Sequence, residues 1–166
     1  MLTETKQLSA GVEFHQSMDS TATPLRVASF FSGIGGFELA FEAAGVPTVF
    51  QCEVDEYCQQ VLRHRFPGVQ LASDISTLDP NDVPTADIWT GGFPCQDVSV
   101  ARGGLGRDGL KGSRSGLYYS LLELISERMP RAVLLENVTG LLNSHSGNDL
   151  GVILESLSQL GYAISR

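Results

Sequence analysis

Two residues far apart in the chain have the types and settings for covalent chemistry. Cys95 lies in Gly91-Gly92-Phe93-Pro94-Cys95-Gln96, and Glu136 in Leu134-Leu135-Glu136-Asn137-Val138. A cysteine attacks as a thiolate, so a reactive one needs access and a lowered pKa. Pro94 and the glycines put Cys95 in a loop after a short apolar strand, where both can be met. A carboxyl directly after an apolar strand can lose its water, which raises its pKa and lets it donate a proton near neutrality. Cys52, inside an apolar strand, and Cys58, on a helix, read instead as small buried apolar residues.

A second group of residues could hold a ligand beside that pair. Phe30-Phe31-Ser32-Gly33-Ile34-Gly35-Gly36 stands between a strand and a helix. Glycines let backbone come close to a ligand, and the helix N-terminus beyond them favours polar or anionic groups. A tight turn with no ligand would use the same residues. The dinucleotide fingerprint is not matched, because no glycine follows three residues after Gly35, which argues against a dinucleotide oxidoreductase. Glu53 and Asp74 end the next two predicted strands. Glu53 can accept hydrogen bonds from both hydroxyls of a ribose, and Asp74 from the exocyclic amino group of an adenine. Each alone reads equally as a solvated acid; beside the glycine turn they point to a nucleoside-containing cofactor.

These side chains need elements to position them. Leu25 to Phe31 reads as a buried strand, Phe37 to Ala44 as a helix with Gly45 as its C-cap, and Thr48 to Glu53 as a second strand. Asp55 caps a helix running to about Phe66. Val69 to Ala72 is a short third strand and Asp87 to Thr90 a fourth. The glycine-rich stretch 97–115 reads as a long loop, Gly116 to Arg128 as a helix, Arg131 to Glu136 as a strand, and Asn148 to Leu160 as a helix stopped by Gly161. Strands alternating with helices predict an α/β fold, an open doubly wound and mostly parallel sheet. In such sheets ligands sit beyond the carboxyl ends of the strands. The glycine turn, Glu53, Asp74, Cys95 and Glu136 all fall at that rim.

Composition bounds the reading. The 166 residues are 42% hydrophobic and 18% charged, as in one ordinary globular domain. Residues 1–23 are polar and aperiodic and read as a flexible leader, leaving 24–166 for the domain. There is no apolar run of membrane-spanning length and no secretory signal, so the expected setting is cytoplasmic, with no membrane partner. Three cysteines without a C-x-x-C pair argue against a disulfide framework or a metal site. A net charge of −8 disfavours nucleic-acid binding by the chain as a whole. The balance is local: Arg102, Arg107, Lys111 and Arg114 face only Asp108 between residues 102 and 114.

Taken together, these segments resemble the cytosine-5 DNA methyltransferase family from about Leu25 to Arg166. Phe31-Ser32-Gly33-Ile34-Gly35-Gly36 is similar to its cofactor motif, Phe93-Pro94-Cys95-Gln96 to its catalytic motif, and Glu136-Asn137-Val138 to its third hallmark. The resemblance implies a sheet of the S-adenosylmethionine-dependent methyltransferase type and S-adenosyl-L-methionine as cofactor. Phe31, Ser32, Gly33, Gly35, Gly36, Glu53, Asp74, Ile75, Pro94 and Leu117 would line its site. It further implies that Cys95 attacks C6 of a cytosine flipped from double-stranded DNA while Glu136 holds a proton at N3. Gln96, Ser99, Arg102 and Arg114 would contact the DNA.

Two positions depart from the pattern. Ser29 stands where an acid often opens the cofactor motif, and Val54 where a large aromatic often follows the acid. The family's later glutamine-arginine motif, target-recognition domain and closing helix are not found before Arg166. The expectation is therefore a sheet incomplete at its C-terminus and a second polypeptide supplying the remainder, in a restriction-modification setting. A tRNA cytosine-5 methyltransferase, or a non-catalytic subunit or inactive fragment that binds S-adenosylmethionine, stays open as an alternative; Phe93, where the tRNA relative tends to carry proline, favours DNA.

Overall fold

A computed structural model describes residues 23–94 and 116–165. Five parallel strands form one sheet: β1 (Val27–Phe30), β2 (Thr48–Cys52), β3 (Gln70–Ala72), β4 (Ile88–Gly91) and β5 (Ala132–Leu135), in the order β3-β2-β1-β4-β5. Among the described residues the α-helices are α1 (Gly36–Ala43), α2 (Glu56–Arg65) and α3 (Leu117–Arg128), which lie between strands, and α4 (Asn148–Gln159), which follows β5. The expected doubly wound sheet is what the chain adopts.

The sequence explains the centre of the sheet. All four residues of β1 are buried, as a strand covered on both faces requires. Ala28, Phe30, Phe50, Cys52 and Trp89 join one core cluster with Leu121, Leu122 and Ile125 of α3. Phe30 anchors it, with ring centroids 4.7 Å from Trp89 and 5.7 Å from Phe50. Gly91 lets α3 approach, since a Cβ there would lie 3.0 Å from a Leu121 methyl. Tyr118 of α3 bonds to Ser156 of α4 through their hydroxyls, which fixes the two helices against each other.

The elements match the expected ones, with β1, β2, β3 and β5 shortened by a residue or two at their ends and β4 shifted by one residue. Asp55 caps α2 as expected, its side chain accepting from the Cys58 N–H. Short 3₁₀ turns at Ile75–Thr77, Pro80–Asp82, Thr139–Leu142 and Ser144–Gly147 were not expected. Asp74 and Asp79 start the first two by accepting backbone N–H bonds two residues on. The expected leader, apart from Thr23, and the loop from 97 to 115 lie outside the described residues.

Candidate active site

From β1 the chain winds outward through β2 to β3, then returns to place β4 and β5 on the other side. The reversal opens a crevice beyond the carboxyl ends of β1 and β4, and the glycine turn lies there. Its backbone is unusual. Phe31 has φ 56°, Gly33 φ 54° and Gly35 φ 91°. A left-handed phenylalanine costs roughly 1–3 kcal/mol and persists only where surrounding bonds impose it. They do so here: the Ser32 N–H donates to the Cys52 carbonyl at 3.2 Å, and the Gly35 N–H to the Ser32 carbonyl at 3.0 Å. The Ser32 hydroxyl is spent on Ser29, donating to its carbonyl and pairing with its hydroxyl. Ser32 therefore shapes the turn from inside.

The two positive-φ glycines serve different ends. A Cβ at Gly33 would meet nothing within 4 Å, so its outer side is open to a ligand. One at Gly35 would overlap the Phe66 ring and lie 3.3 Å from Leu62 of α2. Gly35 is thus demanded by helix packing. Gly36 opens α1, with free space before it.

Glu53 is built into the turn. Its Oε2 accepts the Gly33 N–H at 2.7 Å and its Oε1 the Asp55 N–H at 2.9 Å. A carboxylate has about four acceptor sites, so two remain, enough for the two hydroxyls of a ribose. Gln59 supports it from α2, donating to the Glu53 carbonyl at 2.8 Å. Asp74 accepts the Ser76 hydroxyl and N–H on Oδ1, at 2.7 and 2.8 Å. Those bonds, the hydroxyl first, hold its pKa below the ordinary value. Ile75 beside it is buried in the core. Cys52, between the two acids, has its thiol pKa pushed up to about 12 by burial first, then by Asp74 and Glu53. That fits the expected structural role.

The ends of β4 and β5 meet. The Glu136 N–H donates to the Gly91 carbonyl at 3.0 Å. Its carboxyl lies so close to Gly92 that a Cβ there would stand 3.1 Å from Oε2. Asn137 Nδ2 donates to the Phe93 carbonyl at 2.7 Å. Phe93 is buried against Tyr118, with centroids 4.9 Å apart, and Pro94 follows it exposed. Leu117 opens α3, partly buried against the core. Cys95, Gln96, Ser99, Arg102 and Arg114 lie outside the described residues.

One expectation is corrected. Glu136 is exposed, not desolvated by its strand. The reason is position: among the described residues β5 is an edge strand, and even its apolar residues alternate between exposed and half-buried. Sequence reasoning also missed the support from Gln59, the contact of Gly92 with the Glu136 carboxyl and the bridging role of Asn137. Only Asn137 had a signal, its place directly after Glu136.

The C-5 cytosine-specific DNA methylase family model matches residues 25–166. The chain belongs to this family. The chain is 41% identical over 139 residues to the type II methyltransferase M.NgoBI of Neisseria gonorrhoeae, a match covering 84% of this chain and 43% of that protein. It is 41% identical over 142 residues to M2.BsuMI of Bacillus subtilis (strain 168), covering 83% of the chain and 35% of the relative. Among solved structures, a prophage-encoded E. coli protein described as a DNA modification methyltransferase is 28% identical with TM-score 0.63, covering 81% of this chain and 38% of that one. The Dnmt2 methyltransferase of S. pombe is 26% identical with TM-score 0.58, covering 79% and 41%. The match thus spans less than half the length of these relatives.

Proposed function

We propose that this chain is the cofactor-binding and catalytic part of an enzyme that methylates C5 of cytosine in duplex DNA. The observation that carries the reading is the junction of β4 and β5: Asn137 holds the Phe93 carbonyl and Glu136 lies on Gly92, so the stretch leading to Cys95 and the carboxyl share one rim. The rim also holds the open glycine turn and Glu53 with acceptor sites to spare. That arrangement fits S-adenosyl-L-methionine, with Glu53 at the ribose, Asp74 and Ile75 toward the adenine, and Phe31, Gly33, Pro94 and Leu117 along the wall.

In this mechanism the Cys95 thiolate forms a bond to C6 of the cytosine. A free thiol is only a few per cent ionised at pH 7, so the site has to favour the thiolate. Glu136 holds a proton at N3, so electron density moves through the ring to C5. When bound, the cofactor supplies the electrophilic methyl group. Loss of the C5 proton and elimination of the thiolate restore the aromatic ring. None of these atoms is accessible in a stacked duplex, so the base must flip, at a cost of a few kcal/mol. Gln96 and Ser99 would meet the DNA, together with Arg102 and Arg114 from a locally basic stretch of an acidic chain.

The similarity to type II methyltransferases supports a restriction-modification role. Because the matched part is less than half of those relatives, the reading includes a base-reading segment outside the part matched here. The test is covalent trapping of the chain, supplemented with that segment, on duplex DNA containing 5-fluorocytosine. A trapped adduct lost in Cys95→Ala is expected; trapping that survives the substitution overturns the mechanism. Methylation of duplex DNA by these 166 residues alone would overturn the need for that segment.

A further inference from the structure

We propose that Glu38, buried beneath the glycine turn, is a specificity-determining residue: its carboxylate favours the positively charged methyl donor S-adenosyl-L-methionine over the neutral product S-adenosylhomocysteine. This rests on the reading above that the turn holds that cofactor.

Glu38 stands where a core residue belongs. It is the buried residue of α1, with none of its surface exposed, while Phe37 and Phe41 on the same helix are only half-buried. A charged group out of water is costly unless hydrogen bonds and a counter-charge surround it. Glu38 has little of either. Its Oε1 accepts the Gln51 side-chain amide at 3.3 Å, and its Oε2 is buried with no hydrogen-bond partner. Among the described residues no arginine, lysine or histidine forms an ion pair with it.

The structural uses of such a residue are already filled. A glutamate at the third position of a helix ordinarily reaches back to the N–H of the N-cap residue. Here the N-cap is Gly35, and its N–H donates to the Ser32 carbonyl at 3.0 Å. Glu38 does not hold the turn through its serine either, since the Ser32 hydroxyl is taken by Ser29. An apolar side chain would fill the same space at less cost, so the carboxyl itself needs a role.

Its place supplies one. Glu38 is three residues, roughly 4.5 Å of helix, beyond Gly35, and helical side chains lean toward the N-terminus. The carboxyl therefore lies under the turn. The position of Gln51 agrees, because it stands beside Ser29 in the sheet and Ser29 holds the Ser32 hydroxyl. Thr90 flanks Ser29 on its other side, so three buried polar residues run across β2, β1 and β4. The start of α1 also favours a negative side chain. On the open side of the turn, a Cβ at Gly33 would meet nothing within 4 Å. A ligand seated there has the turn itself between it and the carboxyl.

The two ligands differ by one methyl group and the positive charge that it brings to sulfur. A buried negative charge acts on that difference. At an effective dielectric constant of about 20, unit charges about 10 Å apart still change an affinity by tenfold or more. Product is then released more readily than fresh donor.

The test is calorimetric titration of the full 166-residue chain with each ligand separately, comparing the parent, Glu38→Gln and Glu42→Gln. Glu38→Gln keeps the shape and an acceptor for Gln51 but removes the charge. It should cut the preference for S-adenosyl-L-methionine over S-adenosylhomocysteine about tenfold, with product affinity within about twofold of the parent. Its urea midpoint should not fall, because a neutral group is easier to bury than a charged one. Glu42→Gln removes the same charge from an exposed position of the same helix and should leave the preference within about twofold. A preference unchanged in Glu38→Gln, an equal loss for both ligands with a lower midpoint, or an equal shift in Glu42→Gln would each overturn the proposal. Those results leave the cofactor reading standing, since the parent still binds. A parent that binds neither ligand would sink the cofactor reading, and this proposal with it.

Discussion

Asn137 Nδ2 donates a 2.7 Å hydrogen bond to the carbonyl oxygen of Phe93, 44 residues earlier in the chain. The Asn137 Oδ1 accepts the N–H of Val138, so the amide is held at both ends and its orientation is fixed. The bond ties the ends of β4 and β5 together at the point where one leads to Cys95 and the other ends at Glu136.

Asn137→Ala should therefore lower stability by about 1 kcal/mol, the ordinary net worth of one such bond, as read by urea unfolding. It should also change the alkylation rate of Cys95 severalfold and leave the affinity for S-adenosylhomocysteine within about twofold. A stability loss with no change in Cys95 reactivity would make the bond a fold contact only.

Gly35→Ala tests the packing of the glycine turn against α2. The substitution forces an alanine to φ 91° and drives its Cβ into the Phe66 ring. Strain and overlap together should cost about 2–4 kcal/mol. Pairing it with Phe66→Leu should return part of that loss. Gly33→Ala, with open space around its Cβ, should cost less in stability and more in cofactor affinity. Equal unfolding midpoints for the two alanine variants would contradict the separate roles argued for the two glycines.

Much of this was legible in the sequence because it depends on local signals. Asp55 before an amphipathic run, Gly161 after one, and apolar runs separated by helical periods are set by capping and burial within a few residues. The rim followed from the topology, since alternating strands and helices place every strand end on one side. What was not legible depended on neighbours in space. The exposure of Glu136 follows from β5 being an edge strand, which the apolar sequence Leu134-Leu135 conceals. The demand for glycine at 35 comes from Phe66, about thirty residues on, and nothing near Gly35 announces it.

The cysteines separate by environment. Burial and the nearby acids Asp74 and Glu53 push the Cys52 thiol up to about 12, so almost none of it is thiolate at pH 8. Iodoacetamide at pH 8 should leave Cys52 unlabelled until denaturant is added and should label Cys95 first. Cys58, whose thiol is also raised, should react more slowly than Cys95. Labelling of Cys52 in the folded chain at a rate comparable to Cys95 would sink this assignment.

Glu53 serves both the turn and the proposed ribose contact, and the two can be told apart. Glu53→Gln keeps one acceptor for Gly33 but sets an amide donor against the Asp55 N–H or the ligand. Hydrogen bonds to a charged group are worth roughly 1.5–3 kcal/mol, so calorimetry should show affinity for S-adenosylhomocysteine falling by about tenfold or more. Glu53→Ala should fall at least as far and also destabilise the turn. Unchanged binding in both variants would remove Glu53 from the cofactor site.

Acid sensitivity gives a check on α2, the helix that carries Gln59 beneath Glu53. Asp55 has its pKa held below the ordinary value of 3.8, chiefly by the backbone N–H of Cys58. A carboxyl whose pKa is lower folded than unfolded stabilises the fold fully above its unfolded value. The contribution then fades as pH falls through the folded value. Asp55→Ala should thus lower the urea midpoint at pH 7, and the gap to the parent should narrow steadily as pH drops below about 4. Asp55→Asn keeps a capping oxygen without the charge, so its own midpoint should depend less on pH over the same window. Asp74, held low by the Ser76 hydroxyl and N–H, should add acid sensitivity of the same sign in the parent and in both variants, so the difference between parent and Asp55→Ala isolates the cap. A gap that stays constant from pH 7 to about 3 would mean that the carboxylate charge has no part in holding the start of α2.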